Sequence, residues 1–263
     1  MLSAFTALLV GCGASSSDVT TPDQEDDLVA DTHTTYGAPV TVAADEAIAR
    51  ASNDVKAPAV APPPAPPEVT AQALLAKLAT CAHKVSTAPY ASDVGAPSNI
   101  DVCALEGAVF WKADMDIDCD GKSSAVCNKS TDAAYQSQTA ATDSKGAPLD
   151  AATLPYVVVP GVSARWSYQA AGISMGSVAA VIYQGKIQFG IVGDIGPSSI
   201  LGEASYAMAS GLGIDPDPSI GGAASGVVYV VFTGKSAVVQ KNEDHAAAVT
   251  LAAARAAQLL VDN

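Results

Sequence analysis

The sequence predicts a mainly β domain, a small β-barrel with peripheral helices, preceded by a disordered tether. Three observations predict it. Short β-rich runs recur between residues 108 and 234, with few helical patterns interspersed. Composition shifts near residue 70, from a Pro-, Ala- and Asp-rich stretch to one carrying alternating and continuous apolar runs. About 190 residues remain after that shift, enough for one domain with a sizeable core.

The chain opens on MLSAFTALLVGCGASSSD, where a short apolar run ends at Gly11-Cys12. This resembles a bacterial lipoprotein box, which makes residues 1–12 a signal peptide with Cys12 as the lipidation site and bacterial-membrane anchor. An ordinary signal peptide is the competing reading. Residues 13–69 read as a disordered linker, because a serine run, the acidic TTPDQEDD segment and a proline run at 62–67 offer little to bury. Residues 70–263 are the expected folded domain. The chain is therefore expected to be exported, as a cell-envelope lipoprotein or extracellular protein.

Residues 70–84 carry apolar side chains at helical spacing, with Thr70 as N-cap. Residues 108–112 (AVFWK) read as a strand entering an acidic loop, and 122–150 as a polar, turn-rich surface excursion. YVVVP (156–160), SVAAVIY (177–183) and KIQFGIVGD (186–194) read as strands, the last two joined by a hairpin turn at Gln184-Gly185. Residues 202–213 predict a short helix closed by glycine, with Glu203 in its first turn. A strand follows at 226–234. A C-terminal helix then begins near Glu243 and Asp244.

Besides Cys12 the chain holds Cys81, Cys103, Cys119 and Cys127. An even number in an exported domain points to two disulfides, and the loop CDGKSSAVC makes Cys119–Cys127 the easiest local bridge, leaving Cys81–Cys103. Zinc is the weaker reading, since the sequence has no CxxC and three histidines. No metal and no cofactor are expected.

The formal charge is −14, with −8 on residues 1–70 and −6 on residues 71–263. The acidic domain argues against nucleic acid and for a neutral or cationic partner. No run of 18 apolar residues is present to span a membrane as a helix. Nothing suggests an oligomer, so a monomer is expected.

Two segments carry chemistry. Asp194 ends an apolar strand and enters a Gly-Pro turn, and Glu203 follows nine residues later. A strand end and an adjacent helix start place two carboxylates across one cleft, the arrangement that proton transfer to and from a reacting group requires. The competing roles are structural: Asp194 bonding turn amides, and Glu203 stabilising a helix N-terminus. The other segment is the acidic octapeptide DMDIDCDG at 114–121. Asp116, Asp118 and Asp120 with Gly121 match the first half of a calcium loop, but the twelfth position is Cys127 rather than glutamate.

The octapeptide, YQGK (183–186), GDIGP (193–197), GEAS (202–205) and VYVVF (228–232) together resemble the fungal-type chitosanases of glycoside hydrolase family 75, over residues 88–240. The resemblance implies an endo-acting, inverting hydrolase of β-1,4 bonds between glucosamine units, with Asp194 and Glu203 as its catalytic carboxylates. It leaves open which is acid and which is base. The implied partner is chitosan, a cationic polysaccharide, and Asp116 and Asp118 are then expected to bind substrate ammonium groups. GDIGP also resembles, over a shorter stretch, a turn of lytic transglycosylases built on a double-psi β-barrel. That makes the expected barrel double-psi-like, and a peptidoglycan-active enzyme the alternative activity. A non-catalytic glycan-binding lipoprotein is the third.

Overall fold

The computed structural model describes residues 67–263. The expectations for residues 1–12, for Cys12 and for the linker as far as residue 66 lie outside the described residues. In chain order the elements are α1 (Ala71–Lys77), β1 (Cys103–Leu105), β2 (Ala108–Asp118), β3 (Tyr156–Pro160), β4 (Val178–Tyr183), β5 (Lys186–Gly196), β6 (Glu203–Ser205), α2 (Tyr206–Leu212), β7 (Ala223–Phe232) and α3 (His245–Asp262).

The strands form one sheet in the order β1-β2-β6-β3-β5-β4-β7, and β7 also pairs with β2. That last pairing closes six strands, β2 through β7, into a barrel, with β1 added outside the closure. Closure leaves those six strands without a free edge. Neighbours are mixed: β2–β6 and β3–β5 are parallel, whereas β2–β7, β4–β5 and β4–β7 are antiparallel. The expected mainly β barrel with peripheral helices is what forms.

Alternation along the strands sorts side chains to two faces. One cluster joins residues of all six barrel strands: Val109 and Trp111, Val157 and Val159, Ala179 and Val181, Val192, Ala204, Tyr229 and Val231. It fills the interior, where Trp111 stacks on Tyr229 with ring centroids 5.4 Å apart and Tyr229 Oη donates to the Asp114 carbonyl at 2.9 Å. The opposite face carries Phe110, Tyr156, Val230 and Ile182, which pack with Leu74 of α1 and with Ala248, Ala252, Ala256 and Leu259 of α3. Exposed Lys112 lies on this second face of β2, which is therefore the outside of the barrel.

Several boundaries differ from the sequence reading, each for a stated reason. α1 stops at Lys77 rather than 84 because the chain must turn to bring Cys81 to Cys103, its disulfide partner on β1. Thr70 is the N-cap, its Oγ1 accepting from Ala73 N at 3.1 Å. β2 does not end in an acidic loop: it runs through Asp118, because β7 pairs with it as far as Met115 and β6 from Asp116 to Asp118. Glu203 is not in a helix. It starts β6, and α2 begins after it with Ser205 as N-cap and Gly213 (φ 76°) as left-handed C-cap. The Gln184-Gly185 hairpin turn is present, both residues having positive φ (45° and 80°) as a tight primed turn requires. α3 is capped by Asp244, whose Oδ1 accepts from Ala247 N at 3.0 Å.

Residues 119–155 form the expected excursion. Its base is braced by the second disulfide, Cys119–Cys127, and Glu243 accepts from Ser144 N at 3.0 Å, tying the loop to the start of α3. Both disulfides follow the expected pairing. No helix among the described residues is long and apolar enough to cross a membrane.

Ser205 joins three elements. Its hydroxyl donates to Leu154 O at 2.9 Å and accepts from Tyr156 N at 3.0 Å and Met208 N at 3.2 Å, fully buried. Ser205→Ala strands two amides and removes the cap of α2, and is expected to cost about 2–3 kcal/mol. At this size that lowers the melting temperature by about 4–12 °C, read by calorimetry, with the Ser210→Ala surface control unchanged.

Candidate active site

The acidic octapeptide becomes, in its first half, one edge of a groove. On β2 the residues 114, 116 and 118 alternate onto the outer face, because Ala113 and Met115 point into the interior. β6 lies beside β2 in parallel register, pairing Asp116 with Glu203 and Asp118 with Ser205. Since Ala204 points inward, Glu203 also faces out. Next in the sheet come β3 and then β5, where a bulge after Val157 pairs Val158 with Asp194 and turns Asp194 outward as well. Three strands of this run, β2, β6 and β5, thus present their acids to one surface.

That surface is a groove of about 680 Å³, lined by Asp93, Asp116, Asp118, Asp120, Asp132, Asp194 and Glu203 with Gln136, Val158, Pro197 and Ser219. All four expected site residues of the domain, Asp194, Glu203, Asp116 and Asp118, are brought together in it. Asp114 lies beneath Asp116, 9% exposed. The sequence reading missed Asp93 and Asp132 and did not select Asp114 and Asp120. The i, i+2 spacing from Asp114 to Asp118 was the available signal, but it speaks only once the segment is known to be a strand. Asp93 has no local signal, because long-range bonds place its loop: Ala91 N donates to Ser199 O, and Leu201 N donates to Ala91 O, both at 3.0 Å.

Backbone clearance shapes the groove around Glu203. A Cβ on Gly196 would collide with the Glu203 carboxylate. Gly202, at φ 130°, lets the backbone pass against the Asp114 carboxylate, where any side chain would clash.

The two candidate acid/base residues sit in different environments. Asp194 Oδ1 accepts from Ala140 N at 2.8 Å and from its own neighbour Ile195 N at 2.7 Å. Burial raises its pKa, and those two amides oppose the rise by stabilising the ionised form. Among the described residues no hydrogen bond to the Glu203 side chain offsets its burial. Burial first, then the charges of Asp116, Asp120, Asp194 and Asp114, push Glu203 up to about 7. Burial likewise lifts Asp114 and Asp120 to about 6, and Asp118 well above the usual range. The ion pairs among the described residues, Lys84–Asp101 and Lys122–Asp150, lie outside the groove, so no described lysine or arginine pairs with these acids.

Two triads of carboxylates, Asp93/Asp114/Asp116 and Asp118/Asp120/Asp194, each bring one oxygen per residue within 4.8 Å of the others. In the second triad Asp118 Oδ1 accepts from Asp120 N, Asp120 Oδ1 from Gln136 N and Asp194 Oδ1 from two amides, so part of its ligating capacity is committed to the backbone. The calcium-loop half-match therefore folds as the end of a strand and a disulfide-braced turn.

These shifts fix the sign of a stability effect. Glu203, Asp114 and Asp120 bind protons more tightly in the folded than in the unfolded chain. Their stabilising contribution is complete below the ordinary carboxylate range near pH 4 and is lost as pH rises to about 7. The melting temperature is expected to fall between pH 4.5 and 7.5. Glu203→Gln flattens part of that fall, and an unchanged slope in the variant would remove Glu203 from the titrating set.

Comparison with known proteins identifies the family of the chain. Residues 115–258 match the family described as fungal chitosanase of glycosyl hydrolase group 75. The chain is 35% identical over 153 residues to "Endo-chitosanase B" of Aspergillus oryzae, covering 52% of this chain and 64% of that protein. It is 33% identical over 147 residues to "Endo-chitosanase" of Aspergillus fumigatus, covering 51% and 62%. The chain thus spans a little under two thirds of the length of these relatives, and the family match contains the end of β2 from Met115 to Asp118, Asp194, Glu203 and most of α3. The chain belongs to the group 75 fungal-type chitosanase family of glycosyl hydrolases.

Proposed function

We propose that this chain is an endo-acting chitosanase, cleaving β-1,4 bonds between glucosamine units with inversion, Glu203 as general acid and Asp194 as general base. The observation that carries the reading is the contrast between the two carboxyls. Glu203, held up to about 7 by burial and like charges, keeps a proton at mildly acidic pH for the leaving glycosidic oxygen. Asp194, stabilised as an anion by Ala140 N and Ile195 N, takes a proton from the attacking water. An inverting route needs about 6.5–9.5 Å between the carboxyls to admit that water. Atoms balance: the proton from Glu203 goes to the leaving oxygen, water oxygen bonds the anomeric carbon, and the water proton goes to Asp194.

The uncompensated acids of the groove support a cationic polymer as substrate. A chain of protonated amines supplies the counter-charge that no described lysine or arginine gives the groove, and Asp116 and Asp118, on the groove wall near Glu203, suit that role. Metals and cofactors have no role in this mechanism. The protein acts as an exported monomer. Its two disulfides suit an oxidising compartment. Cys12 is the lipid anchor of the exported chain. Cys12→Ala then moves the chain from the membrane fraction to the soluble exported fraction; continued membrane association of that variant overturns the anchor.

Asp194→Asn and Glu203→Gln are each expected to lower kcat for reducing-end release from highly deacetylated chitosan by about 10³-fold or more. Wild-type protein that cuts peptidoglycan and not chitosan would replace this reading with the lytic one. The pH profile of kcat/KM is expected to be a bell whose alkaline limb falls near pH 7, as Glu203 loses its proton. Asp116→Asn removes a like charge beside Glu203, so its pKa drops and the alkaline limb moves to lower pH. A limb that stays in place would assign the proton to another group.

A further inference from the structure

The groove contains a second acidic group whose composition the proton-transfer chemistry does not use. Exposed Asp93 and Asp116 line the groove, and Asp114, close to both, is nine-tenths buried with an Oδ1 that has no hydrogen-bond partner among the described residues. An unpartnered carboxylate oxygen at that depth lacks the donor that burial requires. No cationic side chain reaches it, since the ion pairs of the described residues are elsewhere. The cluster is also held in place by the backbone around Glu203. Asp116 N donates to Gly202 O at 2.7 Å, and the Asp93 loop is bonded to residues 199 and 201.

We propose that Asp93, Asp114 and Asp116 form a subsite for the ammonium group of one glucosamine residue of the bound polymer, adjacent to Glu203. The inference rests on the reading of the groove as a glucosamine-polymer site and adds which residues read the amine. Carboxylate oxygens of the three lie within 4.8 Å of one another. The centre of an equilateral triangle of that side is about 2.8 Å from each corner, the length of a charge-assisted N–H···O bond. An ammonium group has three donors, one for each acid. An N-acetylated residue offers there a single amide donor and a bulky acyl group, no positive charge, and three acids left unpaired. The subsite thus selects a deacetylated unit. Gly202 is part of it, because any larger residue would fill the space against the Asp114 carboxylate.

The test is calorimetric titration of a fully deacetylated glucosamine hexamer into the full chain carrying Glu203→Gln, at mildly acidic pH, where the amines are charged. Adding Asp114→Asn is expected to weaken binding about tenfold or more, and adding Asp93→Asn about threefold, as for a buried and an exposed charge respectively. Affinity for the fully acetylated hexamer should be unchanged by either. Because Asp93 is exposed, its variant keeps the test decisive even if the Asp114 variant fails to fold. Hexamer affinities equal within twofold across the variants overturn the subsite. So does calcium chloride alone binding tightly to the full chain, raising its melting temperature in an Asp93-dependent way, which would make the cluster a divalent-cation site. The outcome is separable from that of the hydrolase reading, because binding needs no turnover. Wild-type protein that cuts chitosan while the Asp93 and Asp114 variants bind normally removes the subsite alone. Asp93-dependent binding without any cleavage by wild-type protein removes the catalytic assignment and leaves the subsite.

Discussion

The barrel closes through three residues. Glu203–Ser205 insert between β2 and β3, parallel to the first, and without them the order β2-β6-β3-β5 would not exist. Their side chains divide the work by alternation. Ala204 enters the interior, Ser205 bonds Leu154, Tyr156 and Met208 on the outer side, and Glu203 is left facing the groove. The register that pairs Asp116 with Glu203 follows from the same insertion, so the electrostatics of the site depend on a strand too short to form alone.

Burial and charge then act against stability in the same place. Carboxyls crowd onto one face with no lysine or arginine of the described residues paired to them, and desolvation raises the pKa of Glu203, Asp194, Asp118, Asp120, Asp116 and Asp114 alike. Repulsion of this kind is tolerated because the barrel beneath is overdetermined: an aromatic stack inside, two disulfides, and two helices on the outer face opposed to the core. Burial first, and this repulsion with it, raises the proton affinity of Glu203. Stability lost at neutral pH and acid chemistry gained are one effect seen from two sides.

The excursion of residues 119–155 has a part in the chemistry as well as on the surface. Its start is fixed by Cys119–Cys127 and by the Tyr156 hydroxyl, which donates to Asp120 O at 3.1 Å. Its far side returns to deliver Ala140 N to Asp194 and Gln136 N to Asp120. The asymmetry between the two carboxyls of the proposed acid/base pair thus comes in part from a loop with no regular secondary structure.

Much of the fold was legible in the sequence because it depends on local signals. Runs of Val and Ile marked β3, β4 and β5, the Gln184-Gly185 turn fixed the hairpin, Thr70 and Asp244 marked helix starts, and four cysteines in a short span announced two bridges. The motif order also singled out Asp194, Glu203, Asp116 and Asp118, which the fold brings into one groove. What the sequence could not decide was the setting of those acids, because it depends on partners far along the chain. The strand character of 114–118 comes from β6 and β7, about 90–110 residues away, and overrides the poor strand propensity of aspartate. Glu203 lost its expected helix to the same parallel pairing. Its proton affinity, which a helix N-terminus would have lowered, is raised instead by burial among carboxylates. Asp93 enters the groove through two backbone bonds to residues 199–201 that no local pattern encodes. Sequence by itself determined which residues carry the charge; tertiary structure decided which of them face one another, since desolvation and Coulomb repulsion act through space and not along the chain.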